Sequence, residues 1–474
     1  MGLADIADVL SRRVEDGAAG VHEALFEPVI RLGVTGLSRA GKTVFITSLV
    51  ANLLERGRMP QLLGASSGAI RAACLRPQPD DTVPRFEFER HLAALTGPTP
   101  HWPQSTRSIS QLRLSLRVQP TGFLAGLGGL RTVHLDIVDY PGEWLLDLPL
   151  MTQSFAQWSA EALDLAARPA RAQLSAVWRR RVEAEDASAA LEAGRAQDLA
   201  EAFRAYLLSA RTAGFSACAP GRFLMPGDLE GSPALTFSPL VRPERASRKS
   251  LWREMERRFD AYKAKVVKPF FRDHFARIDR QIVLLDALGA IHDGPAAVED
   301  MRRTMQDVLR AFRPGRNSWL SALVGTRVSR ILFAATKADY LHHSQHTRLG
   351  AIVEAMLREA RERAEFSGAL TASMPIAAVR ATVEESITHD GRRLDCVRGI
   401  LAKTGKPALM YAGELPQDPA QLLTPARQGA EKWLDQDFDV MRFSPARLEL
   451  RPGEGPPHIR LDKAAEFLLG DRLR

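Results

Sequence analysis

One stretch of this chain combines the residue types and the spacing that bind the phosphates of a nucleotide. Residues 36 to 43 read GLSRAGKT, a complete match to the pattern GxxxxGK followed by Ser or Thr. Glycines let backbone N–H groups turn toward phosphate oxygens, the lysine neutralises phosphate charge, and the threonine offers a hydroxyl to Mg²⁺. A chance glycine-rich turn is the alternative. The predicted phosphate contacts are Gly36, Ser38, Arg39, Ala40, Gly41, Lys42 and Thr43.

A carboxylate for the metal ion follows in the segment 139 to 142, which reads DYPG, ends an apolar run and has the form DxxG. In this motif the Asp holds Mg²⁺ through water and the glycine N–H senses the γ-phosphate, so we predict these roles for Asp139 and Gly142. Asp286 also ends an apolar run and is the rival for the metal-proximal carboxylate. A strand-ending turn that needs Pro and Gly is the structural alternative.

A guanine-binding signature is indicated by the segment 336 to 339, which reads TKAD and follows another apolar run. An Asp at its end accepts hydrogen bonds from guanine N1–H and the 2-amino group, which adenine does not present, while the Lys stem lies along the base. We predict that Thr336, Lys337 and Asp339 bind guanine, and that Ala381 adds a backbone contact. Thr336 replaces the commoner Asn. A solvated turn after a strand is the alternative.

Two candidate catalytic residues lie beside these motifs, in addition to Lys42. Thr106 has the position of the switch threonine that closes on Mg²⁺ and the γ-phosphate, although Ser105 and Ser108 compete for this role. Glu143 follows the DxxG glycine, where small GTPases carry a water-orienting Gln. Its carboxylate would orient water but would also repel the γ-phosphate.

Arg39, inside the phosphate loop, is the remaining catalytic candidate. The stretch GLSRAGKT is similar to the loops of guanylate-binding large GTPases, in which an Arg at this position is an internal arginine finger. By that resemblance Arg39 would stabilise transition-state charge without an external activator. An Arg turned to solvent is the alternative.

Alternating strands and helices must position these residues. An apolar strand from Val29 to Thr35 precedes the phosphate loop, and a helix from Val44 to Leu54 follows it. The segment 57 to 108 has few periodic features and is predicted to be a long irregular connection. A hairpin then leads to Asp139, as in Ras-like GTPases.

The fold class predicted from these elements is α/β, a Ras-like P-loop NTPase domain with a large helical insertion and a small C-terminal α+β extension. Further strands are predicted at 282 to 285, 330 to 335, 376 to 379, 408 to 411 and 440 to 450. The predicted division is an N-terminal helical segment 1–30, a discontinuous GTPase domain 31–150 and 281–400, a helical insertion 151–280 and the extension 401–474.

Composition limits the classes of function. The net charge is +8, but basic and acidic residues are interleaved, so we expect no nucleic-acid partner. Three distant cysteines indicate neither disulfides nor a zinc site, and His342, His343 and His346 are interpreted as surface histidines. No secretory signal or spanning run is apparent, so we expect a cytoplasmic protein, at most peripheral to the inner membrane.

The chain resembles the YcjX-like family of bacterial stress-associated P-loop proteins. The residues that carry the resemblance are GLSRAGKT at 36 to 43, WPQST at 102 to 106, DYPGEWLLDLPL at 139 to 150 and TKAD at 336 to 339. The resemblance implies a GTP-binding, Ras-like domain with a helical addition and a link to membrane or envelope stress.

These observations predict a GTPase that binds GTP, GDP and Mg²⁺ and couples hydrolysis to a conformational switch in residues 100 to 150. The helical insertion is the candidate surface for a protein partner or for peripheral membrane contact, and the oligomeric state stays open. Two other functions also stay open: an ATPase or small-molecule kinase, and a nucleotide-stabilised scaffold with little turnover.

Overall fold

The computed structural model describes residues 27–37, 40–104, 108–120, 129–311, 328–433 and 438–473. Its centre is a seven-stranded sheet in the order β2-β3-β4-β1-β5-β6-β7. Strands β4, β1, β5, β6 and β7 are parallel, and β3 is antiparallel to both of its neighbours, β2 and β4. The strands are β1 Val29–Gly36, β2 Ile70–Arg76, β3 Ser110–Val118, β4 Arg131–Asp139, β5 Arg280–Leu285, β6 Arg330–Ala335 and β7 Leu370–Pro375.

The central strands are mostly buried and rich in Val, Ile and Leu, as expected of strands that are covered on both faces of the sheet. Side chains alternate between two hydrophobic cores: Val283 and Leu285 enter one core, whereas Ile282 and Leu284 enter the other. The parallel strands therefore bring their carboxyl ends, where the predicted motifs lie, to one edge of the sheet.

Helices cover the two faces. The helices are α1 Lys42–Glu55, α2 Leu63–Ser66, α3 Phe88–Thr96, α4 Phe155–Ala167, α5 Pro169–Ala184, α6 Ala193–Thr212, α7 Gly221–Leu224, α8 Leu251–Tyr262, α9 Lys268–Asp273, α10 Ala287–His292, α11 Pro295–Ala311, α12 His346–Phe366, α13 Ala420–Arg427 and α14 Leu461–Leu469. A 3₁₀ segment, Gly142–Thr152, follows β4, and a π-helical turn, Lys263–Val267, continues α8.

Helices α4 to α9 lie between β4 and β5, where the sequence predicts a helical insertion. Their interior is aromatic: Trp158 stacks on Phe259 with ring centroids 4.9 Å apart, and Trp178 stacks on Tyr206 at 5.4 Å. These rings belong to the same hydrophobic core as Leu285. The inserted helices are thus continuous with one face of the sheet, and we refer to residues 155 to 277 as the helical segment.

The predicted β3–β4 hairpin is confirmed, with Ser110 opposite Asp139. The prediction of an irregular connection over 57 to 108 is wrong in part, because β2 pairs with β3 and α2 and α3 flank it. β2 is an edge strand with mostly exposed side chains, so it lacks the alternation that reveals a strand.

The strand predicted at 376 to 379 is β7 at Leu370–Pro375, and the apolar residues after it form a buried loop. The strand predicted at 440 to 450 is also wrong: this segment is extended coil with a single bridge between Leu401 and Phe443.

The end of the chain does not form a separate extension. Helix α14 packs beside β6, and Arg280 Nε of β5 donates to the carbonyl oxygen of Leu468 at 3.0 Å. A small antiparallel sheet, in the order β10-β9-β8, consists of β8 Val383–His389, β9 Arg392–Ile400 and β10 Pro407–Met410. The predicted boundary at 400 therefore falls between two paired strands. Among the helices that the structure describes, none is long and apolar enough to span a membrane.

Candidate functional site

The phosphate loop connects the end of β1 to the start of α1. Gly41 has φ = 80°, a left-handed conformation that favours glycine, and α1 begins at the next residue, Lys42. The Lys42 ammonium donates to the carbonyl oxygen of Gly36 at 3.0 Å. This arrangement directs a helix N-terminus and a lysine to the same place, which is a site for an anion. Ser38 and Arg39 lie outside the described residues.

Two oxygen donors for a metal ion lie at this edge of the sheet. Asp139 ends β4 opposite Val34 of the neighbouring β1 and is buried, and Thr43 is buried in the first turn of α1. Hydroxyl and carboxylate oxygens are the donors that Mg²⁺ prefers, so the chemistry of this pair fits that ion. Thr106 and Ser105 lie outside the described residues, and Ser108 is exposed.

Gly142 packs directly on the phosphate loop. A Cβ at this position would overlap the carbonyl oxygen of Gly36 and would lie 3.0 Å from Lys42 Nζ. A glycine is therefore required here for close approach of two backbones. The DxxG segment and the phosphate loop are in contact in this structure.

Glu143, predicted to be catalytic, faces the helical segment. It is buried, and its carboxylate forms an ion pair with Arg211 of α6 at 2.7 Å. Gly221 of α7 lies against the same peptide, because a Cβ on Gly221 would overlap the carbonyl oxygen of Glu143. The residue after the DxxG glycine is thus held by two helices that are far from it in sequence.

The rest of the 3₁₀ segment Gly142–Thr152 is held in the same way. Trp144 Nε1 donates to the carbonyl oxygen of Met225 at 2.9 Å, and the Arg222 guanidinium lies 3.1 Å from the centre of the Trp144 ring system. Asp147 accepts from the N–H of Gly221 and from the hydroxyl of Tyr262, both at 2.7 Å. Burial raises the pKa of Asp147 to about 6 despite these hydrogen bonds.

Asp339, the predicted guanine residue, is a buried carboxylate at the end of β6. Its Oδ2 accepts from the N–H of Ala381 at 2.8 Å, and its carbonyl oxygen accepts from the Thr382 hydroxyl. Burial raises the pKa of Asp339 to about 6. Ala381 does not line the cavity between the two motifs, and its N–H donates to Asp339. Its predicted contact with a base stays a prediction.

The other two residues of this motif contact β5. Thr336 donates its N–H to the carbonyl oxygen of Leu285 at 2.9 Å, and its hydroxyl donates to the same oxygen at 3.2 Å. Lys337 has φ = 61° and pairs with Asp286, which also caps α10 by accepting from the N–H of Gly289. Asp286, the rival metal carboxylate, is thus paired with a residue of the TKAD motif.

A cavity of about 340 Å³ joins the two halves of the site, within the size range of ligand pockets. Lys42 and Thr43 line it at the phosphate loop, and Thr336, Lys337 and Asp339 line it at the end of β6. The structure therefore brings the two predicted motifs, almost 300 residues apart in sequence, to one cavity.

Sequence reasoning missed part of the wall. Trp102, Arg442 and Phe443 also line the cavity. Trp102 Nε1 donates to the carbonyl oxygen of Phe443 at 2.7 Å, and the Phe443 ring packs edge-on against Tyr340 at 5.2 Å. Trp102, a large aromatic residue in the irregular segment WPQST, could have indicated a wall of the site. Residues 442 and 443 lie in coil without any periodic pattern.

A second cavity of about 150 Å³ lies toward the helical segment. Glu143 and Arg211 line it, and it shares Lys337, Tyr340 and Arg442 with the first cavity. The space at the predicted base site is thus adjacent to space at the DxxG segment.

The histidines after Asp339 differ from one another. His346 is buried, and its Nε2 lies 2.7 Å from the carbonyl oxygen of Ala338, so the prediction of a surface histidine is wrong for it. His342 and His343 lie outside the cavity, beside Glu384 of β8.

Comparison with known sequences agrees with this architecture. A family model described as the YcjX-like family, DUF463, matches residues 30–473. A protein of Escherichia coli (strain K12) named Ras-like GTPase YcjX is 37% identical over 460 residues, which cover 94% of this chain and 96% of the relative. A protein of the same name from Shewanella oneidensis is 32% identical over 504 residues and is covered completely, as is this chain. This chain therefore belongs to the YcjX-like family.

Proposed function

We propose that this chain binds GTP and hydrolyses it to GDP and phosphate. The observation that carries the proposal is the single cavity with Lys42 at one end and Asp339 at the other. A cation at a helix N-terminus binds phosphates, and a buried carboxylate binds paired N–H donors. A guanine nucleotide carries both groups, and the relatives named Ras-like GTPase are consistent with this ligand.

The burial of Asp339 supports guanine over adenine. Its pKa is raised to about 6 because burial disfavours the charged form, so donors that replace the lost water are favoured. Guanine offers N1–H and the 2-amino group to one carboxylate, whereas adenine has an acceptor at N1. The hydrogen bond from Ala381 fixes the carboxylate before the base arrives.

For hydrolysis, we propose that Thr43 and Asp139 hold Mg²⁺, which would neutralise phosphate charge, and that Lys42 binds the β- and γ-phosphates. Arg39 and Thr106 keep their proposed roles as the internal arginine finger and the switch threonine. We assign Glu143 to a different role. Because its charge is paired with Arg211, it is suited to couple the DxxG segment to α6 better than to orient water.

The proposed output is a movement of the segment Gly142–Thr152 against the helical segment. Gly142 contacts the phosphate loop, whereas Trp144 and Asp147 are bonded to residues of the helical segment. A γ-phosphate that accepts from the Gly142 N–H would therefore shift this segment and disturb the contacts of Trp144 and Asp147 with the helical segment. We further propose a cytoplasmic setting and a stress role, as the sequence resemblance implies, with the helical segment as the partner surface.

Base selection is tested with Asp339→Asn. The Asn side-chain NH₂ would face the 2-amino group of guanine, so two donors would meet. Xanthine has a carbonyl in place of that amino group, which can accept from the Asn NH₂. We expect Asp339→Asn to weaken GDP binding about 100-fold and to strengthen XDP binding, measured by calorimetry. Asp390→Asn, in the exposed turn after β8, is the control and should leave GDP binding unchanged. Equal binding of ATP and GTP by the unmodified protein would indicate an ATPase or kinase instead.

Turnover is tested by single-turnover phosphate release from GTP. We expect release by the unmodified protein, none by Lys42→Ala, and a reduced rate with Arg39→Ala. No release from any of the three, with GTP bound, would contradict hydrolysis and leave a nucleotide-stabilised scaffold.

A further inference from the structure

A cluster of metal-ligating side chains lies just beyond the guanine motif. Single ligand atoms of His342, His343 and Glu384 all lie within 4.8 Å of one another. The two histidines precede α12, and Glu384 belongs to β8 of the small sheet. None of the three lines the nucleotide cavity, so the proposed GTPase makes no use of them.

The spacing of the donor atoms suits a small cation. His343 Nδ1 lies 2.7 Å from Glu384 Oε2, and His342 Nε2 lies 3.8 Å from the same oxygen. Donors on a tetrahedral zinc ion, at bond lengths of 2.0 to 2.1 Å, are about 3.4 Å apart. Zinc binding would lengthen the first separation by about 0.7 Å and shorten the second by about 0.4 Å, and the ligand nitrogens of the two histidines lie within 4.8 Å of each other.

The surroundings orient the donors as in known metal sites. His342 Nδ1 lies 2.9 Å from Ser344 Oγ, which in turn donates to Asp395 at 3.4 Å. The Ser344 N–H also lies 3.4 Å from His342 Nδ1. In the tautomer that carries its proton on Nδ1, this proton is donated to the Ser344 hydroxyl and the lone pair of Nε2 is available for a metal, and such outer partners are typical of ligating histidines. Arg380 lies 3.7 Å from the other carboxylate oxygen of Glu384, Oε1, which leaves Oε2 to the cluster.

We propose that His342, His343 and Glu384 bind one zinc ion, with water at an open fourth position. Two imidazoles and one carboxylate are ligands that favour Zn²⁺ over Mg²⁺, which prefers oxygen donors in an octahedron. The His342 side chain is 10% exposed and that of His343 is 68% exposed, so the site is reachable from solvent.

The ion would join two segments that both hold Asp339. His342 and His343 follow Asp339 by a few residues. Glu384 follows Ala381 and Thr382, which are the hydrogen-bond partners of Asp339. Zinc would therefore stiffen the guanine-binding loop. This consequence rests on the proposed function, whereas the metal site itself does not.

The test is a calorimetric titration of chelator-treated, full-length protein with Zn²⁺, without nucleotide. A Cys74→Ser background removes the exposed thiol as a competing ligand. We expect one ion per chain, an increase in Tm of several degrees at saturation, and at least tenfold weaker binding in His343→Ala and in Glu384→Gln. His389→Ala is the control: this exposed histidine at the end of β8 lies outside the cluster and should leave zinc binding unchanged.

Failure of the unmodified protein to bind one equivalent, or equal binding by His343→Ala, would overturn the metal site. The guanine consequence has its own measurement, because zinc should strengthen GDP binding in the unmodified protein but not in His343→Ala. Normal zinc binding without any GDP binding would reject the proposed function and leave the metal site in place.

Discussion

The two ends of the nucleotide cavity are held by different parts of the molecule. At the guanine end, Asp339 and Thr336 bond to Ala381 and Leu285, which are residues at the ends of the central strands or in the loop after them. At the phosphate end, the residues after Gly142 bond instead to α6, α7 and α8. In the proposed function, base recognition would therefore depend on the sheet, whereas the γ-phosphate sensor would be shared with the helical segment.

This difference indicates how helices inserted between two strands can change the response to nucleotide without changing the sheet. A mutation in the helical segment should change how the protein responds to phosphates and leave its choice of base unaltered. A mutation around Asp339 should do the reverse.

Gly142→Ala should have the largest effect. Its Cβ would overlap the carbonyl oxygen of Gly36, which is a backbone atom, so one of the two backbone segments must move and the phosphate loop would be displaced. We expect GTP and ATP binding to weaken together by at least 100-fold, about 2.7 kcal/mol, in calorimetry. Gly129→Ala, where a Cβ would meet no atom within 4 Å, is the matched control. Weakened GTP binding with unchanged ATP binding would contradict the assignment of Gly142 to the phosphate end.

Gly221→Ala places the same disturbance on the helical segment. The new Cβ would overlap the Glu143 carbonyl oxygen, so α7 or the DxxG segment must shift, at a cost of about 1–3 kcal/mol in the free energy of unfolding. We expect a lower Tm and about tenfold weaker binding of GTP analogues, with a smaller change for GDP. Gly194→Ala, at an open position near the start of α6, should leave binding of both nucleotides unchanged and should not lower the Tm, because Ala favours a helix over Gly. Equal losses for GDP and GTP analogues would show that α7 does not act through the γ-phosphate.

The phosphate loop could be predicted from sequence because its contacts are contiguous and a strand and a helix flank it. TKAD at the end of β6 was predictable for the same reason. The residues that hold these motifs were not, since Arg211, Gly221 and Phe443 are distant in sequence and belong to a helix, a short turn and a coil with no functional pattern. For the same reason the hydrogen bond from Ala381 to Asp339 could not be read from the sequence.

The misplaced strand at 376 to 379 shows another limit. Ile376 and Ala377 are buried and line the cavity, and Ile376 also belongs to a hydrophobic core, so their sequence has the composition of a core strand. The real strand β7 is at the sheet edge, and its side chains are mostly half-buried, so its composition is mixed. Apolar sequence reports burial and does not by itself report secondary structure.

A pH titration can distinguish the two ends. The pKa of Asp339 is raised to about 6, and guanine donors bind the ionised form, so preference for guanine is complete above this pKa and is lost as the pH falls through it. We expect the ratio of GDP to ADP affinity to fall about tenfold between pH 7 and pH 5. Asp339→Asn should show no such change. Asp147, whose pKa is also about 6, would change both affinities together, so a constant ratio would place the titration at the phosphate end.

The smallest expected effect is the coupling between Glu143 and Arg211, measured with Glu143→Gln, Arg211→Ala and the double variant. The pair is partly buried, so we expect a coupling energy of about 1–2 kcal/mol in the free energy of unfolding. The exposed pair Arg253–Glu256 on α8 is the control, with about 0.5 kcal/mol. If the pair transmits the γ-phosphate signal, its coupling should change when a GTP analogue replaces GDP, and that of the control pair should not. Identical coupling in both nucleotide states would leave Arg211 as a structural support of the DxxG segment, and its contacts with α7, Met225 and Tyr262 of α8 would then remain as routes to the helical segment.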